Sequence, residues 1–281
     1  MFKTIKNALK TPEVRKRLLY TLVLIIVFRL GCFITVPGVD VVQLEAMRGS
    51  NTNGLVGLID IISGGAFSNF SIFAMSVTPY ITASIVIQLL TMIIPSLERL
   101  AKEGGEVGRQ KVDKYTKALS IVLALIEGIG LYLSYQAQGI FVDSGILSGV
   151  LVVTGLMAGT ALLMWLGDQI TNKGIGNGVS MIIFIGIVSR LPSAVSSIWS
   201  LIMTESGFST TGLLVALAIV IGALILVTAV VFIQQAERRI PVQYAKKVVG
   251  RKMMGAQNTY IPLKIAMAGV MPIIFASSFL T

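Results

Sequence analysis

The sequence contains no histidine and a single cysteine, Cys32. A disulfide within the chain is therefore excluded, as are a histidine–cysteine metal site and a histidine-based catalytic triad. Charged residues are scarce too, at 13% of the chain, against about 25% in soluble domains. Hydrophobic residues make up 54%. Because lipid admits only helices and closed barrels, and the apolar runs are long and continuous, we predict an all-α polytopic membrane bundle.

Seven apolar segments predict membrane spans, for which about 20 residues suffice, and the fifth of them is short. They are residues 18–36, 71–94, 118–135, 147–167, 178–190, 212–233 and 262–281. Basic residues cluster before span one, between spans two and three, and between spans six and seven, whereas the alternate connections hold only Arg48 and Arg190. The positive-inside rule therefore predicts a cytoplasmic N-terminus.

The basic connections also explain the net charge of +10. In one interpretation they only set the topology and contact anionic lipid. In the other they form a docking surface for an acidic or RNA-containing partner. The long connection at 234–260 favours docking, since it mixes its cations with Gln235, Tyr244, Met253, Met254 and Asn258.

The external connection at 37–69 contains a short apolar stretch, Leu55–Ile62, bracketed by glycines. It is too short to span and too apolar to favour water. A hinged half-helix that lines a cavity is one interpretation, because broken structure at membrane depth is tolerated there. An interfacial amphipathic helix is the other.

Two ionisable residues, Arg29 and Glu127, lie inside spans one and three at similar depths. We hypothesise that they pair, directly or through water. The alternative is that Arg29 extends alone toward the interface.

The glycine-rich stretch Gly174–Gly178 superficially resembles a phosphate-binding loop. No strand precedes it and no Lys-Ser/Thr pair follows, so a tight turn into span five explains it better.

An ordered set of motifs along nearly the whole chain resembles the SecY family, the channel subunit of the protein-conducting translocase. The matching stretches are 28–31, 37–40, 63–66, 78–81, 88–91, 103–106, 108–111, 164–171, 174–178, 238–240, 262–264 and 267–270.

The resemblance implies ten helices in two inverted halves of five. It assigns residues 1–17 to a cytoplasmic segment, 18–190 to the first half with a plug at 55–67, and 191–211 to an external hinge. Residues 212–281 begin the second half, with span six, part of span seven and a basic cytoplasmic loop at 234–261. On this expectation the second half is truncated and spans eight to ten are missing.

The resemblance also assigns site residues. The pore ring, an aliphatic constriction that dewets when empty, is expected at Val77, Ile81, Val179, Ile183 and Ile274. The plug comprises Leu55, Leu58, Asp60, Ile62, Gly64, Gly65 and Phe67. The lateral gate includes Gln88, Thr91, Pro79 and Pro272. Partner docking falls to Arg238, Arg239, Lys246, Lys247, Arg251 and Lys252.

Three details of these assignments stay open. Asp60 either faces the external vestibule or loses its charge when the plug is seated, because an unpaired buried carboxylate is costly. Pro79 and Pro272 either loosen the gate helices or form static kinks.

The function implied is a non-enzymatic channel, without a cofactor or metal, that passes unfolded secretory polypeptides across the membrane and membrane helices into it. Expected partners are SecE, a SecG-like subunit, the SecA motor ATPase, the ribosome, signal sequences, nascent polypeptides and the lipid bilayer. The expected location is the bacterial cell membrane.

Three alternatives compete with the channel. A secondary transporter of small solutes fits broken helices but not an aliphatic constriction. An intramembrane protease would depend on Asp60 and Asp168, for which the sequence offers no pairing. A truncated half-channel that docks partners without conducting is the third.

Overall fold

The computed structural model describes residues 11–40, 42–44, 60, 63–143, 145–204, 207–243, 248–249, 252–253 and 258–264. The chain divides into two compact units, Met1–Ser193 and Ala194–Thr281.

The named elements of the first unit, among its described residues, are all helices. Its helices are α1 (Pro12–Gly31), α2 (Thr78–Ile93), α3 (Pro95–Lys102), α4 (Gly105–Gln136), α5 (Ile146–Lys173) and α6 (Gly178–Val188). A further helix, α7 (Leu191–Ile202), begins at the end of this unit.

The helix starts follow ordinary capping chemistry. Proline lies in the first turn of α1, α2 and α3, where its missing N–H would have no helical partner. The Asn177 side chain accepts a hydrogen bond from the Ser180 N–H at 3.3 Å and so caps α6.

Hydropathy and length together identify four membrane-length helical stretches among the described residues. They are Gly105–Gln136, Ile146–Lys173, Gly178–Ile202 and Thr210–Gln235. Each overlaps one of the predicted spans three to six, so the helices predicted there are confirmed. Helices α2 and α3 form a fifth candidate, a pair bent by 106° at Ile94. The predicted seventh span lies outside the described residues, except that 262–264 form a strand.

Span two starts later than predicted. Residues 71–77 form turns instead of helix, with Phe70 at φ 43° and Ser76 at φ 52°. Pro79 therefore lies in the first turn of α2 and interrupts no helical hydrogen bond. Both expectations for Pro79, a loosened helix and a static kink, are wrong for this physical reason.

Close helix packing in the first unit depends on glycine. A Cβ atom at Gly159 of α5 would collide with the Ile72 carbonyl, and one at Gly178 of α6 would collide with the Gly167 carbonyl. In membrane proteins such small residues let backbones approach, because lipid offers little hydrophobic drive for helix association. The Gly167–Gly178 contact holds the start of α6 against α5.

The second unit contains α8 (Thr210–Gln235) and three short antiparallel β-ribbons. The strands are β1 (Met203–Thr204), β2 (Gly207–Phe208), β3 (Glu237–Gln243), β4 (Val248–Val249), β5 (Lys252–Met253) and β6 (Asn258–Lys264). β3 pairs with β6 over seven positions, from Glu237 opposite Lys264 to Gln243 opposite Asn258. The sequence predicted a basic loop here and missed the ribbon.

Candidate functional site

Two helices contribute the described part of the predicted pore ring. Val77 precedes α2, and its carbonyl accepts a hydrogen bond from the Ile81 N–H at 3.0 Å. Val179 and Ile183 follow one another at helical i, i+4 spacing on α6. Ile274, the fifth predicted member, lies outside the described residues.

These side chains meet in one apolar cluster. Val77 belongs to its fully buried part, and Ile81, Val179 and Ile183 pack against it from half-buried positions. Phe28 of α1 stacks on Phe73 within the same cluster, with ring centroids 5.9 Å apart. The cluster provides an aliphatic surface from α2 and α6, and aliphatic side chains make no specific hydrogen bonds to a passing chain.

The described part of the predicted plug packs into that same cluster. We call Asp60 and residues 63–68 the plug segment. Ala66 lies in the cluster with Val77 and is fully buried, as is Ser63. Gly64 at φ 67° and Gly65 at φ 91° adopt conformations that side-chain-bearing residues rarely take. Phe67 is half-buried, with its ring centroid 6.1 Å from that of Tyr135. The predicted plug residues Leu55, Leu58 and Ile62 lie outside the described residues.

Asp60 is 9% exposed and is paired. One carboxylate oxygen forms an ion pair with the Arg190 guanidinium, and the other accepts the Ser68 N–H at 2.8 Å. The ion pair with Arg190 was not among the predicted alternatives, a vestibule-facing or a neutralised carboxylate. A counter-charge lowers the cost of burying a carboxylate.

Arg190 was not among the predicted site residues. It follows α6 and was visible in the sequence as one of two isolated cations in external connections that hold no other basic residue. That isolation was the available signal, and nothing local connected it to Asp60, which lies far away in the sequence.

Arg29 of α1 also contacts the plug segment. Its Nη1 donates to the Gly64 carbonyl at 2.6 Å, and its guanidinium carbon lies 5.0 Å from the Phe33 ring centroid. Among the described residues no ion pair joins Arg29 to Glu127, which lies half-buried on α4. The predicted direct pair is therefore absent, and Arg29 bonds to the plug segment instead.

The predicted lateral gate is described on one side only. Gln88 is exposed on α2, and the Thr91 hydroxyl donates to the Gln88 carbonyl at 2.6 Å. Pro272 lies outside the described residues. The role of Gln88 and Thr91 in a gate stays a prediction.

An ionic cluster joins α4 and α5 at the end opposite the plug segment. Lys117 Nζ lies 2.8 Å from Asp113 Oδ2 and 2.7 Å from Asp168 Oδ2. Asp168, one of the two aspartates of the protease alternative, therefore has a structural partner. Asp60 has one as well.

The docking residues Arg238 and Arg239 lie exposed on β3. The Arg239 guanidinium carbon lies 4.7 Å from the Tyr260 ring centroid on β6. The backbone of Lys252 is part of β5. Lys246, Lys247 and Arg251 lie outside the described residues.

Comparisons with known protein sequences find the same family along the chain. The sequence profile of the SecY family matches residues 71–281. The protein translocase subunit SecY of Streptomyces scabiei is 44% identical over 292 aligned positions, which cover the whole of this chain. The chain spans 65% of the length of that relative.

Two solved structures share the fold. A structure described as a protein conducting channel superposes with a TM-score of 0.62 at 19% identity, covering 95% of this chain and 56% of the other. Sec61 in the canine ribosome–channel complex from the endoplasmic reticulum gives a TM-score of 0.60 at 19% identity, covering 95% of this chain and 56% of the other.

Proposed function

This chain belongs to the SecY family, and on that premise we propose that it forms the wall of a protein-conducting pathway in the bacterial cell membrane. The pathway passes unfolded secretory polypeptides across the membrane and releases membrane helices sideways into it. The N-terminus lies in the cytoplasm, as the distribution of basic residues predicts.

The observation that carries the proposal is the aliphatic surface shared by α2 and α6. Val77, Ile81 and Ile183 are uncharged, lack hydrogen-bonding groups and pack around one apolar cluster. A constriction of this chemistry dewets when empty, which blocks ions. It also fits side chains of any kind loosely, since it offers no preferred hydrogen bond.

The plug segment supports a closed resting state. Ala66 occupies the same cluster as Val77, so the segment lies against the aliphatic surface. A polypeptide that enters the pathway has to displace it. Displacement exchanges buried apolar contacts for contacts with the incoming chain, which keeps the pathway filled in either state.

The proposal includes partners that supply force and bracing. The sequence has no energy-converting motif, so the drive comes from a SecA-type motor or the ribosome, docked on the exposed cations Arg238 and Arg239 of β3. The ribosome is named in the description of one structural neighbour. SecE and a SecG-like subunit brace the channel, and Gln88 and Thr91 border the lateral exit.

Site-specific photocrosslinking tests the pathway. A photoreactive residue replaces Ile183, a stalled secretory chain is offered to membranes that carry the protein, and crosslinks to the stalled chain are quantified. Phe184 is the matched control, because it is the next residue on α6 and is 56% exposed, whereas Ile183 packs against the apolar cluster. We expect crosslinks to the stalled chain from position 183 and crosslinks to lipid from position 184.

Two results contradict the proposal. Equal crosslinking to the stalled chain from both positions would mean that α6 does not present one face to a pathway. No crosslinks from 183, with ribosome or motor binding at Arg238 and Arg239 intact, would mean that the protein docks partners without conducting.

A further inference from the structure

We propose that Arg190 is a positioning residue for the plug segment, and that its ion pair with Asp60 sets how readily the segment leaves its seat. By the seat we mean the packed position of the segment against the apolar cluster. This inference rests on the proposed function for its consequence, but its structural part is testable alone. Arg29 holds the same segment more weakly, through its hydrogen bond to the Gly64 carbonyl, and we call this bond the Arg29 strap.

Asp60 is bonded both to the end of α6 and to other residues of the plug segment. Through Arg190 it reaches the end of α6, and through the Ser68 N–H it closes the plug segment on itself. Its own carbonyl accepts the Gly65 N–H at 3.0 Å and the Ser63 hydroxyl at 3.1 Å. Loss of the ion pair therefore releases a unit that is internally bonded and moves as one piece.

Glycine lets this unit lie against α6. A Cβ at Gly64 would fall 2.9 Å from the Gly186 Cα, and one at Gly65 would fall 3.2 Å from Arg190 Nη2. The backbone at Gly64 thus lies close to the α6 backbone, and the backbone at Gly65 lies close to the Arg190 guanidinium. The same guanidinium forms the ion pair with Asp60.

The two partners are buried to different extents, and this decides what happens to Asp60 when the Arg190 guanidinium is removed. The Asp60 side chain is 13% exposed and that of Arg190 is 32% exposed. Water screens the pair little on the Asp60 side, so removal of the guanidinium leaves a carboxylate that is buried without its counter-charge. That carboxylate regains stability by moving toward water, and the segment moves with it.

The Arg29 strap differs in kind. It bonds to a neutral carbonyl, that of Gly64, and it reaches the segment from α1 instead of α6. Losing a hydrogen bond from a charged donor to a neutral acceptor costs less stability than removing one partner of a buried ion pair. Opening the seat breaks both straps, and the ion pair is the larger barrier.

A buried reporter cysteine tests whether the Asp60–Arg190 ion pair holds the plug segment in place, a role that we call the latch. Ala66 is 0% exposed, so Ala66→Cys in a Cys32→Ser background reacts with a membrane-impermeant maleimide only when the segment leaves its seat. The labelling rate is measured from the external side of sealed cells that produce the full chain. We expect Arg190→Gln and Asp60→Asn each to raise it by about tenfold, as for residues in direct contact.

Three controls separate an ionic latch from simple packing. Arg190→Lys keeps the charge and should label at nearly the starting rate, whereas loss of packing alone would make it as fast as Arg190→Gln. The Asp60→Asn/Arg190→Gln double variant should label no faster than either single variant, because both remove the same interaction. Lys173→Gln, which removes an exposed cation at the far end of α5, should change nothing.

Unchanged labelling in both single variants would overturn the latch, and so would additive effects in the double variant. Ion leakage through the same membranes is measured in parallel. Faster labelling accompanied by leakage supports both the latch and the channel. Faster labelling without leakage supports the latch and contradicts the sealing role in the proposed function, so the two failures are distinguishable.

Discussion

Helices α5 and α8 have similar lengths, 28 and 26 residues, and both are apolar enough to cross a bilayer, yet the protein buries them very differently. The most apolar window of α5 has a mean hydropathy of 2.1 and is 39% buried, whereas that of α8 has 3.1 and is 6% buried. The more apolar helix is thus the less buried one. Hydropathy reports a preference for lipid, and lipid satisfies Leu and Val as well as protein does.

Small and weakly polar residues take part in the buried contacts of α5. Gly149, Gly159, Thr160 and Gly167 lie among its buried positions, and the Thr160 hydroxyl bonds within the helix at 3.2 Å to the Leu156 carbonyl. The buried positions of α8 are only Gly212 and Ala216. Small residues permit close contact, and dispersion forces at close contact supply the association energy.

The largest expected effect comes from a matched pair of glycine substitutions. Gly159→Ala places a methyl group against the Ile72 carbonyl, whereas Gly222→Ala on α8 meets nothing within 4 Å. We expect Gly159→Ala to lower the free energy of unfolding by about 3 kcal/mol or more. Gly222→Ala should be neutral or stabilising by up to about 1 kcal/mol.

Thermal unfolding of the purified protein in detergent measures both variants of this pair. If Gly159→Ala unfolds at the same temperature as the unsubstituted chain, close glycine packing does not explain why α5 is buried.

A second pair of substitutions compares a buried and an exposed position on α6, the helix that borders the proposed pathway. Ile183 packs against the buried cluster and Phe184 is exposed on the same helix. Ile183→Asn puts a hydrogen-bonding group into the aliphatic surface, which should let water and ions enter and raise resting ion conductance severalfold. Phe184→Asn should leave the conductance per protein unchanged. Conductance of reconstituted membranes, normalised to protein amount, measures both, and a rise in the two alike would point to general disorder of α6.

The sequence was sufficient for those parts of the fold that depend on local composition. The helices of predicted spans three to six follow from apolar length alone, and those helices are present. The start of span two was predicted wrongly, because proline has opposite meanings in a first helical turn and in a helix interior, and hydropathy cannot separate them. The β3–β6 ribbon was missed, since Pro241 and Pro262 argue against strands unless they lie at edges.

The residues of the candidate site were harder to predict from composition than the helices were. Val77 and Ile183 are ordinary aliphatic residues in apolar runs, so only the resemblance to SecY singled them out. The Asp60–Arg190 pair joins positions distant in sequence, and pairing at that range depends on how the plug segment packs on α6. No periodicity or spacing carries that information.

A third pair compares ionic contacts inside and outside the packed helices. Lys117 bridges Asp113 and Asp168 with side chains 30–46% exposed, whereas Lys102 pairs with Glu98 on α3 with 74% of its side chain exposed. Lys117→Met leaves two carboxylates at the α4–α5 junction without their cation and should cost about 1 kcal/mol of stability.

Lys102→Met should not shift the unfolding temperature measurably, because water screens the exposed pair. Unfolding at low and high salt measures both lysine variants, and the Lys117 effect should shrink less with salt. Equal shifts would mean that the α4–α5 junction gains nothing from its ionic cluster.

The smallest effect is expected in the second unit, where the Arg239–Tyr260 contact is exposed to water. Tyr260 is 48% exposed and its ring centroid lies 4.7 Å from the Arg239 guanidinium carbon. Tyr260→Leu should weaken the ribbon by about 0.5 kcal/mol, the usual strength of an exposed cation–π contact, and so speed amide exchange in β3 about twofold. Ile261→Leu, at the neighbouring 52% exposed position, should leave exchange unchanged. An effect at Tyr260 as large as that at Gly159 would mean that exposed contacts in the second unit carry as much stability as close packing in the first.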